Sequence, residues 1–397
     1  VIDLRAGAAL AAARQATFEN FNDPNVPAGV RLPRPFGATV AQDLEPEYIA
    51  TSHDSKTAWV SLQENSAVAV VDIRSATVTD VVGLGSKDHS IEGNGLDPSN
   101  RDGGIYIAEW PVNGLHMPDS IAAFRAKGRT YLLTANEGDG REYAYEVEAP
   151  AEADFTACEA RIGEVGEGKF NAGEADYDDE DDVLECIVYL DEIRIEDLDP
   201  EALPFNPSFQ DESLLGRLKA VGTEGDTNGD GVYEQIYSYG ARSITLWDTE
   251  GHVVWDSGDT IEQVTALALP DDFNSTNDEN DSFDARSDDK GPEPETAIVG
   301  KVSGRQYAFV GLERVGGIII FDVTDPAEAR YVNYVNNRNF DPGLDVEDAV
   351  INGNEAGDLG PEGLAFIKED DSPTGDPLLV VGNEISGTTS IYRVVAD

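Results

Sequence analysis

Short runs of apolar residues alternate with clusters of Asp, Ser, Asn and Gly along most of this 397-residue chain. Three such runs fill residues 48–73, and the same rhythm returns over 121–134, 296–323 and 364–394. Short strands at even spacing, with turn residues between them, are typical of an all-β fold. The pattern therefore predicts an all-β protein.

Each of these units also carries the same acidic signature. A Pro followed by a carboxylate opens the first strand, and a Glu ends the second strand. The copies are Pro46-Glu47 with Glu64, Pro118-Asp119 with Glu137, Pro294-Glu295 with Glu313, and Pro361-Glu362 with Glu384. A repeat of this size indicates a repeat architecture, and we expect a β-propeller whose blades are the repeats.

The expected propeller is one domain over residues 1–397 and is seven-bladed when complete. The hairpin at 243–256 is interpreted as a degenerate fifth blade. The opening sequence Val1-Ile2-Asp3-Leu4 matches the third strands of other units, such as Val70-Val71-Asp72-Ile73. Because a propeller must close and usually has 4–8 blades, we expect N-terminal blades to be absent from this chain.

Residues 146–199 break the rhythm and are rich in Asp and Glu. We interpret them as an acidic insertion on one face of the propeller. The insertion holds both cysteines of the chain, Cys158 and Cys186. In an extracellular protein the pair would form a disulfide, with a loop-closure stabilisation of roughly 3 kcal/mol. Two free cysteines are the alternative.

The chain carries 78 Asp and Glu against 27 Lys and Arg, a formal net charge of −51. Such a field repels DNA, RNA and anionic lipid, and it attracts divalent cations. A marine or high-salt source, or a calcium-rich exterior, would account for the excess. No stretch is long and apolar enough to span a bilayer, so we expect no transmembrane segment.

The best local motif begins at Asp226 and matches the first half of a calcium loop. Oxygen ligands stand at positions 1, 3 and 5, and a Gly at position 6 permits the sharp turn. The expected donors are Asp226, Asn228, Asp230, Val232 and Glu234. Position 12 is Tyr237 rather than Glu, so the motif is not an EF-hand, and a plain Asp/Asn/Gly turn is the alternative.

The repeated carboxylates at the strand starts form the second candidate site. The start of an innermost strand lies near the central channel of a propeller, so Glu47, Asp119, Glu295 and Glu362 should converge there. Like charges held close raise each other's pKa unless a cation neutralises them. We therefore predict an axial cation site. The alternative is that each carboxylate caps backbone N–H groups within its own blade.

Several longer motifs around these residues resemble one family, the choice-of-anchor I domain. They are Asp43-Leu44-Glu45-Pro46-Glu47-Tyr48-Ile49-Ala50, Leu62-Gln63-Glu64-Asn65, Ala135-Asn136-Glu137-Gly138-Asp139, Lys290-Gly291-Pro292-Glu293-Pro294-Glu295, Gly311-Leu312-Glu313-Arg314 and Gly382-Asn383-Glu384-Ile385-Ser386-Gly387-Thr388. The group includes secreted alkaline-phosphatase-like proteins and mesenchyme-specific cell-surface glycoproteins. The resemblance implies a secreted or surface-anchored, calcium-associated β-propeller with further propeller sequence before Val1.

Two functions are compatible with these features. The favoured one is an extracellular surface or matrix protein in which Ca²⁺ rigidifies the propeller and bridges partners, its own missing N-terminal segment among them. The alternative is a calcium-dependent phosphoric ester hydrolase, in which Glu137 or Glu313 positions water and Arg141 or Arg314 stabilises phosphate charge. The sequence contains no Gly-x-Ser-x-Gly nucleophile motif, Walker loop or dinucleotide fingerprint.

Overall fold

The computed structural model describes residues 1–4, 11–148, 176–178, 183–351 and 355–395. The strands are β1 (Ile2–Asp3), β2 (Ala12–Ala13), β3 (Ile49–Thr51), β4 (Thr57–Leu62), β5 (Ala67–Asp72), β6 (Thr77–Gly83), β7 (Ser86–Asp88), β8 (Asn113–Leu115), β9 (Ile121–Ala126), β10 (Arg129–Asn136), β11 (Glu142–Glu148), β12 (Asp176–Asp178), β13 (Val183–Leu190), β14 (Glu192–Arg194), β15 (Lys219–Val221), β16 (Tyr237–Ser238), β17 (Ser243–Trp247), β18 (Val253–Asp256), β19 (Pro294–Val302), β20 (Arg305–Leu312), β21 (Ile318–Asp322), β22 (Arg330–Val335), β23 (Pro361–Ile367), β24 (Leu378–Asn383) and β25 (Thr388–Arg393). The helices are α1 (Val40–Asp43), α2 (Thr260–Ala268) and α3 (Val346–Ile351), with 3₁₀ turns at Glu19–Phe21, Pro35–Gly37, Ile195–Asp197, Pro200–Ala202, Pro207–Gln210, Pro326–Glu328 and Glu369–Asp371.

Four antiparallel sheets have the form of propeller blades. Their strand orders are β3-β4-β5-β6, β9-β10-β17-β18, β19-β20-β21-β22 and β23-β24-β25. The first strands stand side by side in chain order, because β3 contacts β9, β9 contacts β19, and β19 contacts β23. The all-β prediction is confirmed. Each sheet of the described residues is open rather than closed into a barrel, and the seven-bladed ring stays a prediction.

The hairpin at 243–256 is not a separate fifth blade. Its first strand, β17, pairs antiparallel with β10, with Leu133 opposite Leu246. β17 and β18 are therefore the third and fourth strands of the second blade. Both leucines are fully buried, and they pack in one core with Ile319 and Phe321 of the third blade. Burial of this shared apolar face favours the long-range pairing.

The chain between β10 and β17 supplies most strands of two further sheets, and β7 and β8, which precede β9, supply the rest. One has the order β11-β13-β12, and the other, β14-β15-β16-β8-β7, includes the parallel pair β16 and β8. The predicted acidic insertion, 146–199, falls within this stretch. Cys186 lies fully buried on β13, whereas Cys158 lies outside the described residues. The disulfide therefore stays a prediction.

Neighbouring blades are held together by apolar cores between their faces. Phe309 of β20 stacks on Phe366 of β23 with ring centroids 5.7 Å apart. The ring of Phe366 also covers the backbone of Gly300, where an added Cβ would lie 2.5 Å from two ring carbons. A glycine is needed at this position of β19, since any side chain would push the third and fourth blades apart.

In the described part of the chain, every helix is too short or too polar to cross a membrane.

Candidate metal centre

The strand pairing brings the repeated carboxylates to one end of the blades. In an antiparallel pair, the start of the first strand lies opposite the end of the second strand. Pro294 accordingly pairs with Leu312, and Pro361 pairs with Asn383. The carboxylate after each Pro and the Glu after each second strand therefore share one edge. This geometry underlies the convergence that the repeat predicts.

Three carboxylates meet most closely at this edge. Asp119 and Glu137 of the second blade and Glu295 of the third each present one oxygen, and these oxygens lie within 4.8 Å of one another. Glu137 is buried, while Asp119 and Glu295 are half-buried. Burial and the neighbouring carboxylates raise the pKa of Asp119 to about 7 and that of Glu295 to about 10. We call Asp119, Glu137 and Glu295 the axial cluster.

The other two predicted axial residues lie at the rim of the same cluster. Glu47 is exposed, but partial desolvation and the charges of Glu64 and Asp119 raise its pKa to about 9. Glu362 is exposed, and its charge helps to raise the pKa of Asp119 and Glu295. The structure thus brings all four predicted carboxylates together, with Glu137 in the innermost set.

Glu293, which the repeat does not include, is the most heavily paired carboxylate beside the cluster. It is fully buried, and its oxygens lie 2.8 Å from Arg286 Nε, 3.1 Å from Arg314 Nε and 3.5 Å from Lys290 Nζ. Burial disfavours its charge, but the three cations outweigh burial and lower its pKa to about 2. Glu293 is therefore a structural anion rather than a free ligand.

The candidate catalytic residues Glu137 and Glu313 border this buried anion. Glu137 accepts hydrogen bonds from Lys290 Nζ and Gln63 Nε2, both at 2.9 Å. Glu313 accepts one from Asn277 Nδ2 at 3.1 Å. One oxygen from each of Glu137, Glu293 and Glu313 lies within 4.8 Å of the others. The second carboxylate group therefore shares Glu137 with the axial cluster.

The two candidate catalytic arginines lie in different surroundings. Arg314 joins the cluster, with Nε 3.2 Å from Glu313. Arg141 is only 1% exposed and lies 2.8 Å from Glu45 and 3.0 Å from the Tyr143 hydroxyl. The structure thus brings Glu137, Glu313 and Arg314 together and places Arg141 in a separate ion pair.

The predicted calcium loop lies between β15 and β16. One oxygen each from Asp226, Asp230 and Glu234 lies within 4.8 Å of the others. Asp226 accepts hydrogen bonds from Gly231 N at 2.8 Å and Gly229 N at 2.7 Å, which lower its pKa. The carboxylates of this exposed loop converge and are held by the backbone, as calcium ligands would need to be.

The remaining predicted donors of this loop are also close. Asn228 donates from Nδ2 to Glu234 at 2.7 Å, so its Oδ1 points elsewhere and accepts from Asp230 N at 3.0 Å. Val232 is exposed, and its N–H donates to Asp230. Thr227 holds Glu234 through its N–H and hydroxyl, which lower the pKa of Glu234.

The candidate site residues chosen from the sequence did not include Glu293, Lys290 or Gln63. Glu293 stands two residues before the repeated carboxylate Glu295, and Lys290 three residues before Glu293. A buried carboxylate needs a cation close in space, and Lys290 is among the few bases near a repeat motif. The small number of Lys and Arg residues in the chain is therefore the signal that points to Lys290 as the cation of a buried carboxylate.

Both candidate sites fit a hard cation. The ligand atoms are carboxylate and amide oxygens, with no Cys or His in either group, and such donors are preferred by Ca²⁺ over softer metals. In the axial cluster the pKa of each carboxyl is raised. A divalent ion there would offset the mutual repulsion of these groups.

Comparisons with known proteins agree with the repeat motifs. A family model described as the choice-of-anchor I domain matches residues 1–326. Gigasin-3a from Magallana gigas is 32% identical over 194 residues, covering 47% of this chain and 67% of that protein. The mesenchyme-specific cell surface glycoprotein of Strongylocentrotus purpuratus is 28% identical over 344 residues, and the match covers 78% of this chain but only 40% of that protein's length.

Among solved structures, the periplasmic gluconolactonase PpgL of Pseudomonas aeruginosa is similar over 88% of this chain and 66% of that chain. The sequence identity is 13% and the TM-score is 0.25, too low to carry an argument. The family match covers most of the chain and includes Glu47, the three residues of the axial cluster and Glu313. The chain belongs to the choice-of-anchor I domain family.

Proposed function

We propose that this chain is an extracellular or cell-surface calcium-binding protein with Ca²⁺ at the axial cluster. The observation that carries the proposal is the approach of Asp119, Glu137 and Glu295 to within 4.8 Å, from two blades that are far apart in sequence. Lys290 balances only Glu137 among the three, and carboxylates this close are otherwise unfavourable unless they are protonated or bind a cation. A bound Ca²⁺ would link the second and third blades.

The calcium loop is the proposed second site. Asp226, Asp230 and Glu234 lie on a single connection between β15 and β16, so Ca²⁺ here would fix a local turn rather than join blades. Hydrogen bonds lower the pKa of Asp226 and of Glu234, whereas the carboxyls of the axial cluster have raised pKa values. The loop is therefore ready for a cation at lower pH than the axial cluster is.

The proposed location follows from family membership and charge. The name of the Strongylocentrotus purpuratus relative places that protein at the cell surface, and we propose the same compartment for this chain. A net charge of −51 suits a calcium-rich exterior, where divalent ions screen and bridge acidic surfaces. The proposed role is a surface or matrix protein that calcium makes rigid.

Counting bound calcium tests this function. We expect wild-type protein at neutral pH to bind Ca²⁺ in equilibrium dialysis, and Asp119→Asn and Glu295→Gln each to bind one ion fewer. Glu328→Gln is the matched control, because Glu328 is exposed and distant in sequence from both clusters. Equal calcium binding by wild type, Asp119→Asn and Glu295→Gln would refute the axial site.

A calcium-dependent phosphoric ester hydrolase is the second candidate, and one cavity favours it. The cavity has a volume of ≈ 380 Å³ and is lined by Lys219, Arg286 and Lys290 among other residues. Lys290 also bonds Glu137, so the cavity adjoins the axial cluster. Cations of this kind hold phosphate oxygens well, although each of the three is already paired with a carboxylate.

In the hydrolase candidate each group would have a separate role. Glu137 or Glu313 would orient water, Arg314 would stabilise developing charge, and calcium would neutralise the phosphate, while Arg141 stays in its separate ion pair with Glu45. Release of phosphate from several monoesters, with and without calcium, tests it. We expect calcium-dependent release that Lys219→Gln reduces and Glu328→Gln does not; no release from any ester would eliminate this candidate.

A further inference from the structure

A third oxygen-rich cluster, different from both candidate sites, is built around the turn at residues 97–104. Asp97 is fully buried, and Asp284 from a distant part of the chain is 3% exposed. Asp102, on the same turn as Asp97, is half-buried. Asp97 and Asp284 are joined by a chain of hydrogen bonds, because Glu262 accepts from Asp97 N at 3.1 Å and from Asn274 Nδ2 at 3.3 Å, and Asn274 Nδ2 also donates to Ser287, whose hydroxyl donates to Asp284.

One face of each carboxyl group is fixed by a hydrogen bond. Asp97 Oδ2 accepts from Tyr106 N at 2.6 Å, and Asp102 Oδ1 accepts from Gly104 N at 3.0 Å. Asp284 Oδ1 accepts from the Ser287 hydroxyl at 2.5 Å. The side chains are therefore held in place by the protein.

Three buried oxygens at this cluster have no hydrogen-bond partner in the described structure. They are Asn100 Oδ1, Asp102 Oδ2 and Asn274 Oδ1. Buried polar atoms are almost always paired, and an unpaired one costs roughly 1–3 kcal/mol. Three unpaired acceptors among clustered carboxylates indicate that a positively charged or hydrogen-bond-donating group belongs there.

Asn274 is the decisive member, because its side chain is completely buried. Its Nδ2 donates to Ser287 Oγ at 2.9 Å and faces Glu262 Oε1 at 3.3 Å. Reversing the amide would turn Oδ1 toward the Glu262 carboxylate and is therefore unfavourable. Since the Ser287 hydroxyl also donates to Asp284, the Asn274 side chain belongs to the same hydrogen-bonded cluster, and its Oδ1 is buried there without a partner.

Arg242 lies beside this cluster but does not neutralise its three aspartates. Arg242 Nη1 lies 2.7 Å from Glu262 Oε1 and 2.7 Å from the backbone oxygen of Asp97. Arg242 and Glu262 are both buried and cancel each other's charge. Burial and the unbalanced carboxylates raise the pKa of Asp97 to about 8 and that of Asp284 to about 7.

We propose that Asp97, Asn100, Asp102, Asn274 and Asp284 form a buried calcium site. Carboxylate and amide oxygens are the ligands that Ca²⁺ takes, and it tolerates the irregular geometry of ligands from separate loops better than Mg²⁺ does. The ion would tie the turn at residues 97–104 to the loop that carries Asn274 and Asp284. Its role is structural, and it is independent of the axial cluster.

The test uses Asp102→Asn in the full chain, since this change removes one charge at nearly constant size. At pH 7.5 we expect the variant to bind one calcium ion fewer than wild type in equilibrium dialysis. Calcium should also raise the Tm of the variant by less than it raises the Tm of wild type. In chelator we expect the Tm of the variant to be no lower than that of wild type, because the substitution removes a charge that repels its neighbours. Asn100→Ala, which removes an unpaired oxygen, should also bind one ion fewer.

Asp271→Asn is the control, because Asp271 is exposed and should behave as wild type. Full calcium binding by Asp102→Asn and Asn100→Ala would overturn the site and favour buried water. Binding of magnesium in place of calcium would overturn the choice of ion. The double variant Asp102→Asn/Glu295→Gln should bind two calcium ions fewer than wild type. If the double variant loses only one ion and Glu295→Gln alone loses none, the result supports this site and refutes the axial one.

Discussion

At the residue scale, the carboxylates divide into those with and those without a cationic partner. Glu293 is balanced by three cations and has a pKa of about 2, whereas Glu295, two residues later, forms no salt bridge within the described residues and has a pKa of about 10. The repeat predicted the convergence of Asp119 and Glu295, because a strand start is a local feature. It could not predict that Lys290 bonds Glu137, since that contact depends on which blades are neighbours.

Glu295→Gln is therefore expected to stabilise the calcium-free protein. Above the ordinary Glu pKa, ionised Glu295 is unfavourable in the folded state, and glutamine removes that charge. We expect the free energy of unfolding in chelator at pH 8 to rise by on the order of 1 kcal/mol, allowing for partial exposure. Urea unfolding measures it; a lower stability would mean that the Glu295 charge is already balanced within the protein.

At the scale of the elements, the sequence pattern predicted the short strands and their turns. It did not predict which strands pair with each other when they are distant in the chain. The hairpin of β17 and β18 follows from its own apolar pattern around the turn at Gly251. Its place beside β10 does not, because residues 137–242 intervene and the pairing is selected by packing of Leu246 against the third blade. Long-range strand pairing of this kind leaves no local signal.

The contact between the third and fourth blades gives a prediction at this scale. Gly300→Ala should destabilise the protein by about 1–3 kcal/mol, because the new Cβ overlaps the Phe366 ring and overpacking forces the blades to shift. Gly363→Ala, on the adjoining strand, is the control, since no atom lies within 4 Å of its added Cβ. Thermal unfolding compares them; equal Tm values would show that Phe366 can move aside at no cost.

At the scale of the whole molecule, calcium and pH should act on stability together. Folded-state pKa values of about 7 for Asp119 and Glu64 and about 9–10 for Glu47 and Glu295 exceed the unfolded values of about 4. The folded state therefore holds more protons, and without calcium its stability should fall as pH rises from about 4 toward 10. Calcium should remove much of this fall, which Tm measured against pH with and without chelator will show. Parallel profiles would argue against cation binding.

A crystal structure of the chain grown with calcium, with anomalous scattering used to locate the ions, would show whether Ca²⁺ binds at the axial cluster. We expect an anomalous peak bounded by oxygens of Asp119, Glu137 and Glu295, at distances of roughly 2.3–2.6 Å from its ligands. That peak should be missing from crystals of Glu295→Gln. An ordered axial cluster without any peak, in crystals grown in excess calcium, would contradict the claim.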